Sequence, residues 1–420
     1  MSFGPSRDLA ARRLKFGGPR IYDRRERWAL AGFDLALRLA TPLVGLAPSR
    51  STSFEIGSVR RILAVRLDRL GDLLMTLPAL SELRRLAPDA EIELAVGSWN
   101  EEIARGLPFV DRVRIVDAPW AAWGKRASWA SWAGRGGPAR AIRDGETPDL
   151  AIDFQGDVRA ILLMARTGAA LRAGYGDTGG GHLLTHVGFW DEAKSWYRQN
   201  VGLLGTIFPD KPLPNKIEPY NFLLPEDRRV GQEVLRGLGL SEAQRPFIGI
   251  HPSAGRAIKQ WEVDKFAALA DRLVEATSGA VILTGASSDR ELVERVAARC
   301  KTAPQILIGG VGLRGFAALV ERLDLFVSGD TGPMHLADAV ACPGVALFGP
   351  SDPRRYRPQS GETLTVVRNP VYCSPCNMIR KPPRECARLE APECLSTITV
   401  DQVVQAALRR LASASARATP

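Results

Sequence analysis

Cysteine is scarce in this sequence, with six residues in a chain of 420. A chain of this length with so few cysteines is not held together by a network of disulfide bonds. The N-terminus also lacks the usual pattern of a cleavable signal peptide, in which a charged start precedes an apolar core and a small-residue cleavage site. Together these two absences predict a protein of the reducing cytoplasm.

Long apolar runs without charges are missing as well. The most apolar stretch near the N-terminus, residues 28–48, is interrupted by Asp34 and Arg38. Because a bilayer span needs about 20 consecutive apolar residues, this stretch does not predict a transmembrane helix. Many basic residues precede or open it: Arg7, Arg12, Arg13, Lys15, Arg20, Arg24, Arg25 and Arg27. A basic arm followed by an apolar helix predicts either attachment to an anionic membrane surface or a helix packed on the protein's own body.

The patterns of nucleic-acid-binding domains are absent too. The chain shows neither the aromatic strand pair of RNA-binding domains nor the helix pattern of a zinc finger. Its net charge of +10 nevertheless favours anionic partners, such as nucleotide phosphates, acidic glycolipids or a membrane surface. We therefore expect an anionic partner that is not a nucleic acid.

What the chain does contain is a repeated alternation of strand and helix patterns. Residues 62–65 form an unbroken apolar run, which is typical of a strand buried on both faces of a parallel sheet. After the Gly71-Asp72 turn, leucines recur at helical spacing: Leu73, Leu74, Leu77, Leu80, Leu83 and Leu86. The same alternation continues along the chain and starts again in its second half. It predicts an α/β fold built from doubly wound parallel sheets.

The length and these patterns predict two domains with additions at both ends. The predicted segments are an N-terminal extension (1–58), a first Rossmann-like domain (59–210), a proline-rich linker (211–227), a second Rossmann-like domain (228–398), and a C-terminal helix with a tail (399–420).

Two stretches of the first domain fit the alternation poorly. Between residues 118 and 147, tryptophans alternate with basic residues, and the four are Trp120, Trp123, Trp129 and Trp132. This composition is typical of a membrane interface or an acidic sugar site, and equally of helix packing against the sheet. The glycine-rich residues 172–184 predict a flexible loop.

Asp72 is the candidate reactive group of the first domain. It lies where a buried strand is followed by a helix, and ligands of open α/β sheets bind at that edge. The alternative is that Asp72 only caps its helix, as an aspartate before an apolar run commonly does.

The second domain carries polar residues at three successive strand ends. The first group is His251, Ser253 and Gly255 with Lys259, the second is Gly285 and Asp289, and the third is Asp330, Thr331, Gly332, Pro333, Met334 and His335. Small residues let backbone N–H groups approach phosphate oxygens, and a lysine adds a positive charge. A carboxylate can accept hydrogen bonds from ribose hydroxyl groups. The start of a helix adds unpaired N–H groups and a favourable dipole. Taken singly, each fits a turn glycine, a solvated lysine or a capping aspartate.

The blocks GDLLMTLPAL, HPSAG with a following KQW, GASSDRE, SGDTGPMHLADA and LFGPSDP resemble glycosyltransferase family 9, the heptosyltransferases, over residues 60–412. The resemblance implies a GT-B fold, in which two Rossmann-like domains face a central cleft. It also implies inverting transfer of a heptose or related sugar from a nucleotide diphosphate, with ADP-heptose the familiar donor. The familiar acceptor is the lipopolysaccharide core, which implies a cytoplasmic protein peripheral on the inner face of the cytoplasmic membrane.

The resemblance also assigns roles to individual residues. The catalytic aspartate falls on Asp72, the diphosphate-binding lysine on Lys259 and the ribose-binding acid on Asp289. The phosphate loop falls on Asp330, Thr331, Gly332 and His335. No two aspartates lie two apart, so the Asp-X-Asp pair of metal-dependent sugar transferases is missing, and we expect transfer without an active-site metal or other required cofactor. Two alternatives are a nucleotide-sugar epimerase of the same fold and a nucleotide-binding assembly protein without turnover.

Four of the cysteines form a pattern of their own. Cys373, Cys376, Cys386 and Cys394 follow the spacing C-x2-C-x9-C-x7-C. Four thiolates are a typical ligand set for structural zinc, although the second pair lacks the usual short spacing. The alternative is a group of reduced, buried thiols.

Overall fold

The computed structural model describes residues 24–41, 58–120, 137–188, 190–191, 193–359, 363–376, 386 and 392–418. The predicted basic arm before residue 24 and the tryptophans Trp123, Trp129 and Trp132 lie outside the described residues. The chain forms two compact units that divide between Ile217 and Glu218, inside the segment 211–227 predicted as a linker.

The first unit contains a six-stranded parallel sheet in the order β3-β2-β1-β4-β5-β6. Its strands are Arg61–Arg66 (β1), Glu91–Val96 (β2), Arg112–Ile115 (β3), Leu150–Asp153 (β4), Leu171–Tyr175 (β5) and His186–Gly188 (β6). Its helices are Arg24–Ala40, Leu70–Leu74, Leu77–Leu86, Glu101–Ala104, Pro138–Ala141, Val158–Ala165 and Trp196–Ile207, with 3-10 turns at Ser98–Asn100 and Gly181–Leu183.

The second unit repeats this arrangement, with a six-stranded parallel sheet in the order β12-β11-β10-β7-β8-β9. Its strands are Phe247–His251 (β7), Ala280–Gly285 (β8), Gln305–Ile308 (β9), Leu325–Gly329 (β10), Gly344–Leu347 (β11) and Leu364–Val367 (β12). Its helices are Pro225–Gly237, Val263–Thr277, Arg290–Ala297, Leu313–Glu321, Gly332–Ala339, Pro353–Tyr356, Glu393–Ser396 and Val400–Ala418, with 3-10 turns at Glu242–Gln244, Ala257–Lys259 and Ser287–Asp289.

Each unit has its own hydrophobic core between sheet and helices. In the first unit Leu63 and Val65 of β1 pack with side chains of helix Val158–Ala165. In the second, Ile248 and Ile250 of β7 belong to a cluster that includes helix Val263–Thr277. These central strands are buried along almost their whole length, because helices cover the faces of a parallel sheet. The prediction of two doubly wound, Rossmann-like α/β domains is confirmed.

The helix after Gly71-Asp72 differs from the prediction. It is two helices, Leu70–Leu74 and Leu77–Leu86, so Asp72 lies inside the first helix and not in a turn before it. The break has a chemical cause: Pro78 has no N–H group to donate to the carbonyl of Leu74, so one continuous helix would leave that carbonyl unpaired.

The glycine-rich residues 172–184 are not a flexible loop, and that prediction was wrong. They begin within strand β5 and continue as a buried, closely packed turn. A Cβ atom on Gly176 would lie 2.9 Å from the Cα atom of Gly181, and one on Gly174 would lie 3.3 Å from the carbonyl oxygen of Asp153. The glycines therefore serve close backbone packing rather than mobility.

The N-terminal helix Arg24–Ala40 is anchored on the first unit by its polar residues. The buried Asp34 accepts a hydrogen bond of 2.6 Å from the backbone N–H of Gly180 and pairs with Arg38 Nε at 2.7 Å. Thr41 Oγ1 lies 3.1 Å from Nε2 of His182. The predicted packing on the protein's own body is therefore confirmed for this face of the helix.

The opposite face of the same helix is apolar and exposed. Trp28, Leu35 and Leu39 are 70%, 59% and 71% exposed. They follow the spacing of residues on one face of a helix, since 28, 35 and 39 are separated by seven and four positions. Of the helices in the described part of the chain, none combines the length and the apolar composition that crossing a bilayer requires.

Candidate functional site

In both units the strand order reverses at the middle of the sheet. The reversal lies between β1 and β4 in the first unit and between β7 and β10 in the second. Loops leaving these neighbouring strands run in opposite directions, which opens a crevice at the carboxyl ends of the strands where ligands of doubly wound folds bind. The predicted residues Asp72, Lys259 and Asp330 all follow one of these four strands or the loops that leave them.

At the carboxyl end of β1, a buried arginine lies next to two aspartates. Arg66 is the last residue of β1, and its side chain has no exposed surface. Its Nε atom lies 3.0 Å from Oδ1 of Asp68, and its Nη2 atom lies 3.6 Å from Oδ1 of Asp72. Nη1 donates a hydrogen bond to the backbone carbonyl of Phe154, which directly follows β4. This guanidinium group therefore connects the two strands at the point of reversal.

Asp72 itself is partly open to solvent, with 22% of its side chain exposed. Its Oδ2 atom accepts a hydrogen bond of 3.3 Å from the backbone N–H of Arg69, so the capping contact considered as an alternative is present. The contact with Arg69 uses Oδ2, and the other oxygen, Oδ1, is the one that faces Arg66. An exposed carboxylate at this edge can accept a proton from a hydroxyl group.

Two further carboxyl groups lie near Arg66. Burial raises the pKa of Asp68 to about 8, with the charge of Arg66 acting in the opposite direction. Burial likewise raises the pKa of Asp153 to about 7, against hydrogen bonds from the backbone N–H groups of Gln155 and Gly156. Sequence reasoning does not single out Arg66, Asp68 or Asp153. The available signal was that charged residues directly follow buried apolar strands.

In the second unit, Lys259 and Asp330 form a short ion pair. Lys259 ends the 3-10 turn Ala257–Lys259, and its Nζ atom lies 2.6 Å from Oδ2 of Asp330, which follows β10. Burial alone would raise the pKa of Asp330, but the charge and hydrogen bond of Lys259 outweigh it and hold that pKa below its usual range. Asp330 is therefore ionised at neutral pH, and its ion pair holds the lysine beside the start of the next helix.

That helix, Gly332–Ala339, begins with Thr331 in an extended conformation. The Thr331 hydroxyl lies 3.5 Å from the carbonyl of Gly329, so it is directed away from the first N–H groups of the helix. Pro333 at the second helical position has no N–H group. An anion at this end would meet the remaining N–H groups and the positive end of the helix dipole.

Met334 and His335, also predicted to bind the donor, have buried side chains. Met334 packs in a small cluster with Ala346 and Phe348. His335 lies close enough to Asp330 for its charge to lower the pKa of that carboxyl group. Their buried positions favour a role in packing the first turn of helix Gly332–Ala339 against the sheet.

His251, at the end of β7, is also buried. Its Nδ1 atom lies 3.0 Å from Oγ1 of Thr284 on β8. Burial lowers the pKa of His251 to about 4, with the charge of Asp289 opposing it, so the imidazole is neutral at neutral pH. Ser253 is buried in the following loop, whereas Gly255 is exposed.

Gly285 and Asp289 lie together at the end of β8. A Cβ atom on Gly285 would lie 2.8 Å from Cγ2 of Val293, so a larger residue would displace the helix that follows. Asp289 is partly exposed and accepts a hydrogen bond of 2.9 Å from the N–H of Ala286. Its other oxygen is available to a hydroxyl donor.

The four patterned cysteines are free thiols in one region of the second unit. Burial raises the pKa of Cys394 to about 11, and the charges of Cys373, Cys376 and Cys386 act in the same direction. Cys376 donates its N–H to the carbonyl of Pro350 at 3.0 Å, beyond the end of β11. Within the described residues, no three His, Cys, Asp or Glu side chains are arranged as a metal-ligand group.

A family model agrees with these observations. The model of glycosyltransferase family 9 (heptosyltransferase) matches residues 139–386, which is more than half of the chain.

Known proteins similar to this chain carry related descriptions. Lipopolysaccharide heptosyltransferase 1 of Pseudomonas aeruginosa is 26% identical over 75% of this chain and 86% of its own length. A glycosyl transferase family 9 structure from Veillonella parvula has a TM-score of 0.68 and 24% identity, covering 84% of this chain and 97% of that one. The structure of ADP-heptose lps heptosyltransferase II from E. coli has a TM-score of 0.64 and 20% identity, covering 86% and 100%. The structural similarity confirms the predicted GT-B fold.

Proposed function

Because the chain belongs to glycosyltransferase family 9, and is therefore a glycosyltransferase, we propose that it transfers a heptose from ADP-heptose to the lipopolysaccharide core. The transfer inverts the anomeric carbon and uses no active-site metal. The donor and acceptor in this proposal are supported by the descriptions of the similar proteins, which name ADP-heptose and lipopolysaccharide.

The observation that carries the proposal is the chemistry found at the two points of strand reversal. The first unit presents the partly exposed carboxylate of Asp72. The second presents the ammonium group of Lys259, held by Asp330, beside the start of helix Gly332–Ala339. A base for the acceptor and a cationic, N–H-rich site for a leaving diphosphate are the two requirements of an inverting sugar transfer.

In the proposed reaction, Asp72 takes the proton of the acceptor hydroxyl. The hydroxyl oxygen forms a bond to the anomeric carbon of the heptose on the face opposite the diphosphate. The bond from that carbon to the diphosphate oxygen breaks, and its electron pair stays on the phosphate. One displacement of this kind inverts the anomeric configuration and leaves Asp72 protonated.

The second unit stabilises the charge that develops on the leaving diphosphate. Lys259 supplies a positive charge, and the first N–H groups of helix Gly332–Ala339 donate hydrogen bonds. Asp289 accepts hydrogen bonds from the ribose hydroxyl groups, as carboxylates at this edge of a doubly wound sheet do. His251, Ser253 and Gly285 shape the floor of the same site.

A panel of nucleotide sugars tests the donor directly. The purified protein should show the largest rise in melting temperature with ADP-heptose, because a ligand that binds the folded state stabilises it by mass action. Incubation with lipopolysaccharide core acceptor should then give a product with inverted anomeric configuration, in the presence of a chelator. Conversion of the donor without an acceptor would instead show an epimerase, and stabilisation by ADP-heptose with no product would show a binding protein.

We also propose that the protein binds an anionic membrane surface, where it would meet a lipid-anchored acceptor. The support is the exposed apolar face of helix Arg24–Ala40, formed by Trp28, Leu35 and Leu39. The sequence also has many arginines between residues 7 and 27, a composition that favours anionic lipid headgroups. Since Asp34 fixes the opposite face to the protein body, the apolar face is held outward.

Vesicle flotation tests this surface. We expect the full chain to bind vesicles that contain phosphatidylglycerol, and the triple variant Trp28→Ser, Leu35→Ser, Leu39→Ser to bind them at least about tenfold less, since burial of apolar area drives insertion. The matched control, Val230→Ser with Ile306→Ser, removes exposed apolar side chains from the second unit and should bind normally. Equal binding by the triple variant would contradict the assignment.

We also propose a structural metal ion, zinc in the first instance, at Cys373, Cys376, Cys386 and Cys394. The spacing C-x2-C-x9-C-x7-C supplies four thiols, which are a suitable donor set for Zn²⁺. Their positions here do not form a ligand group, so binding requires the thiols to draw together.

Elemental analysis tests the metal. Protein purified under reducing conditions should contain about one zinc ion per chain, and Cys373→Ser with Cys394→Ser should abolish it. A chelator should lower the melting temperature of the wild type and leave that of the variant unchanged. Metal-free protein with four thiols that react freely would contradict the proposal. Cys342→Ser is the control, because this thiol is buried outside the group.

A further inference from the structure

The first unit contains a buried arginine to which the mechanism above gives no role. The guanidinium group of Arg66 lies between the carboxylates of Asp68 and Asp72, at 3.0 Å and 3.6 Å. We propose that Arg66 is the positioning residue that orients Asp72 toward the acceptor hydroxyl. The proposal rests on the role of Asp72 as the base in the proposed function.

Arg66 is held in place by several elements at once. Its backbone belongs to β1, and its Nη1 atom donates to the carbonyl of Phe154 beyond β4. Its guanidinium carbon lies 5.5 Å from the ring centroid of Trp196, at the start of helix Trp196–Ile207. A charged group fixed by two strands and a helix has little freedom to follow a moving partner, so the partner must adjust to it.

The loop between Arg66 and Asp72 is anchored as well. The backbone carbonyl of Asp68 accepts hydrogen bonds from Nε1 of Trp99 at 2.7 Å and from Nδ2 of Asn100 at 3.0 Å. Asp72 in turn receives the N–H of Arg69 on Oδ2. The contact with Arg66 falls on Oδ1, so the two contacts together define the plane of the carboxylate.

The charges around Arg66 leave its positive charge available to Asp72. Three carboxyl groups, Asp68, Asp72 and Asp153, lie near this one guanidinium group. Burial raises the pKa values of Asp68 and Asp153 to about 8 and about 7, which reduces their negative charge beside Arg66 at neutral pH. Carboxyl groups in different environments commonly have separate roles, and Asp72, unlike the fully buried Asp153, is partly open to solvent, where it can meet an acceptor.

Arg66→Lys is the first variant, because lysine keeps the charge but not the planar fork that reaches two carboxylates. We expect the kcat of Arg66→Lys to fall about tenfold and that of Arg66→Met about a hundredfold. Losses of this size are expected when a catalytic group is misplaced. The KM for ADP-heptose should stay within about twofold of the wild type, since the donor binds to residues of the second unit. Arg114→Lys is the control and should keep its kcat, because Arg114 is a partly buried arginine of the same sheet that pairs with Glu93.

A double-mutant cycle separates positioning from general loss of structure. In the D72N background, R66K should change the residual rate by less than about twofold, because the group that Arg66 orients is gone. Equal effects of R66K in both backgrounds, or an unchanged kcat in the single variant, would overturn the proposal. The cycle decides the question even if Arg66→Met does not fold. Absence of turnover in the wild type would refute the proposed function instead.

Discussion

Asp72→Ala should lose turnover by about 10²–10⁴-fold, the range expected when a general base is removed. ADP-heptose should still raise the melting temperature of the variant nearly as much as that of the wild type, because the donor contacts proposed here lie in the second unit. Product formation and thermal shift, measured on the same preparation, give the two quantities. The isosteric Asp72→Asn should lose turnover to a similar extent, since an amide does not take the proton.

Loss of the cap must be separated from loss of the base. Asp72 accepts the N–H of Arg69, so its removal also weakens the start of helix Leu70–Leu74. Ser195→Ala is the matched control, because Ser195 caps helix Trp196–Ile207 in the same unit through the N–H of Arg198. That variant should be about 1 kcal/mol less stable but catalytically active. If Asp72→Ala lost donor stabilisation and turnover in equal measure, the base assignment would be wrong.

Lys259→Met should lower kcat by about 10²–10³-fold, because it removes the positive charge that we propose stabilises the leaving diphosphate. Lys259→Arg should recover part of the loss. Arg245→Met is the control, because Arg245 lies just before β7 and pairs with Asp324 just before β10. This pair lies at the amino ends of the strands, whereas Lys259 and Asp330 lie at their carboxyl ends. Steady-state kinetics with ADP-heptose measure the effect. Equal losses in the two methionine variants would show that the charge acts through stability alone.

The same substitution should change how stability depends on pH. Lys259 holds the pKa of Asp330 below its usual range, so the pair stabilises the fold above the unfolded pKa of the carboxyl group. That contribution is lost as the pH falls through the lower, folded value. The melting temperatures of wild type and Lys259→Met should therefore differ most near neutral pH and converge in acid. A difference that stays constant with pH would contradict the pairing.

Much of the fold and part of the site are predictable from the sequence, because strands buried in a parallel sheet appear in the sequence as short, unbroken apolar runs. Apolar runs such as residues 62–65 mark strands, and in a parallel sheet the residues that follow them share one edge. This reasoning correctly predicts the strand that contains residues 62–65 and the doubly wound parallel sheet of each unit. It also places Lys259 and Asp330 at strand ends of the second domain, and the structure joins the two in an ion pair of 2.6 Å.

What the sequence does not reveal depends on contacts between distant residues. The packing of the glycines near residue 176 depends on backbone that approaches from the same turn and from β4. The docking of the N-terminal helix depends on Asp34 meeting Gly180, 146 residues away. Arg66 resembles a solvated charge in the sequence, because its burial comes from strands and helices elsewhere in the unit. The burial of Met334 and His335 is hidden for the same reason.

The strand order that the two sheets share has an evolutionary consequence. Each sheet completes its own core, so neither half relies on the other's interior for its folded shape. Under the proposed function, substitutions that alter acceptor recognition can accumulate in the first unit while the donor-binding residues of the second unit stay the same. A lineage with this architecture could then change its acceptor without changing its donor.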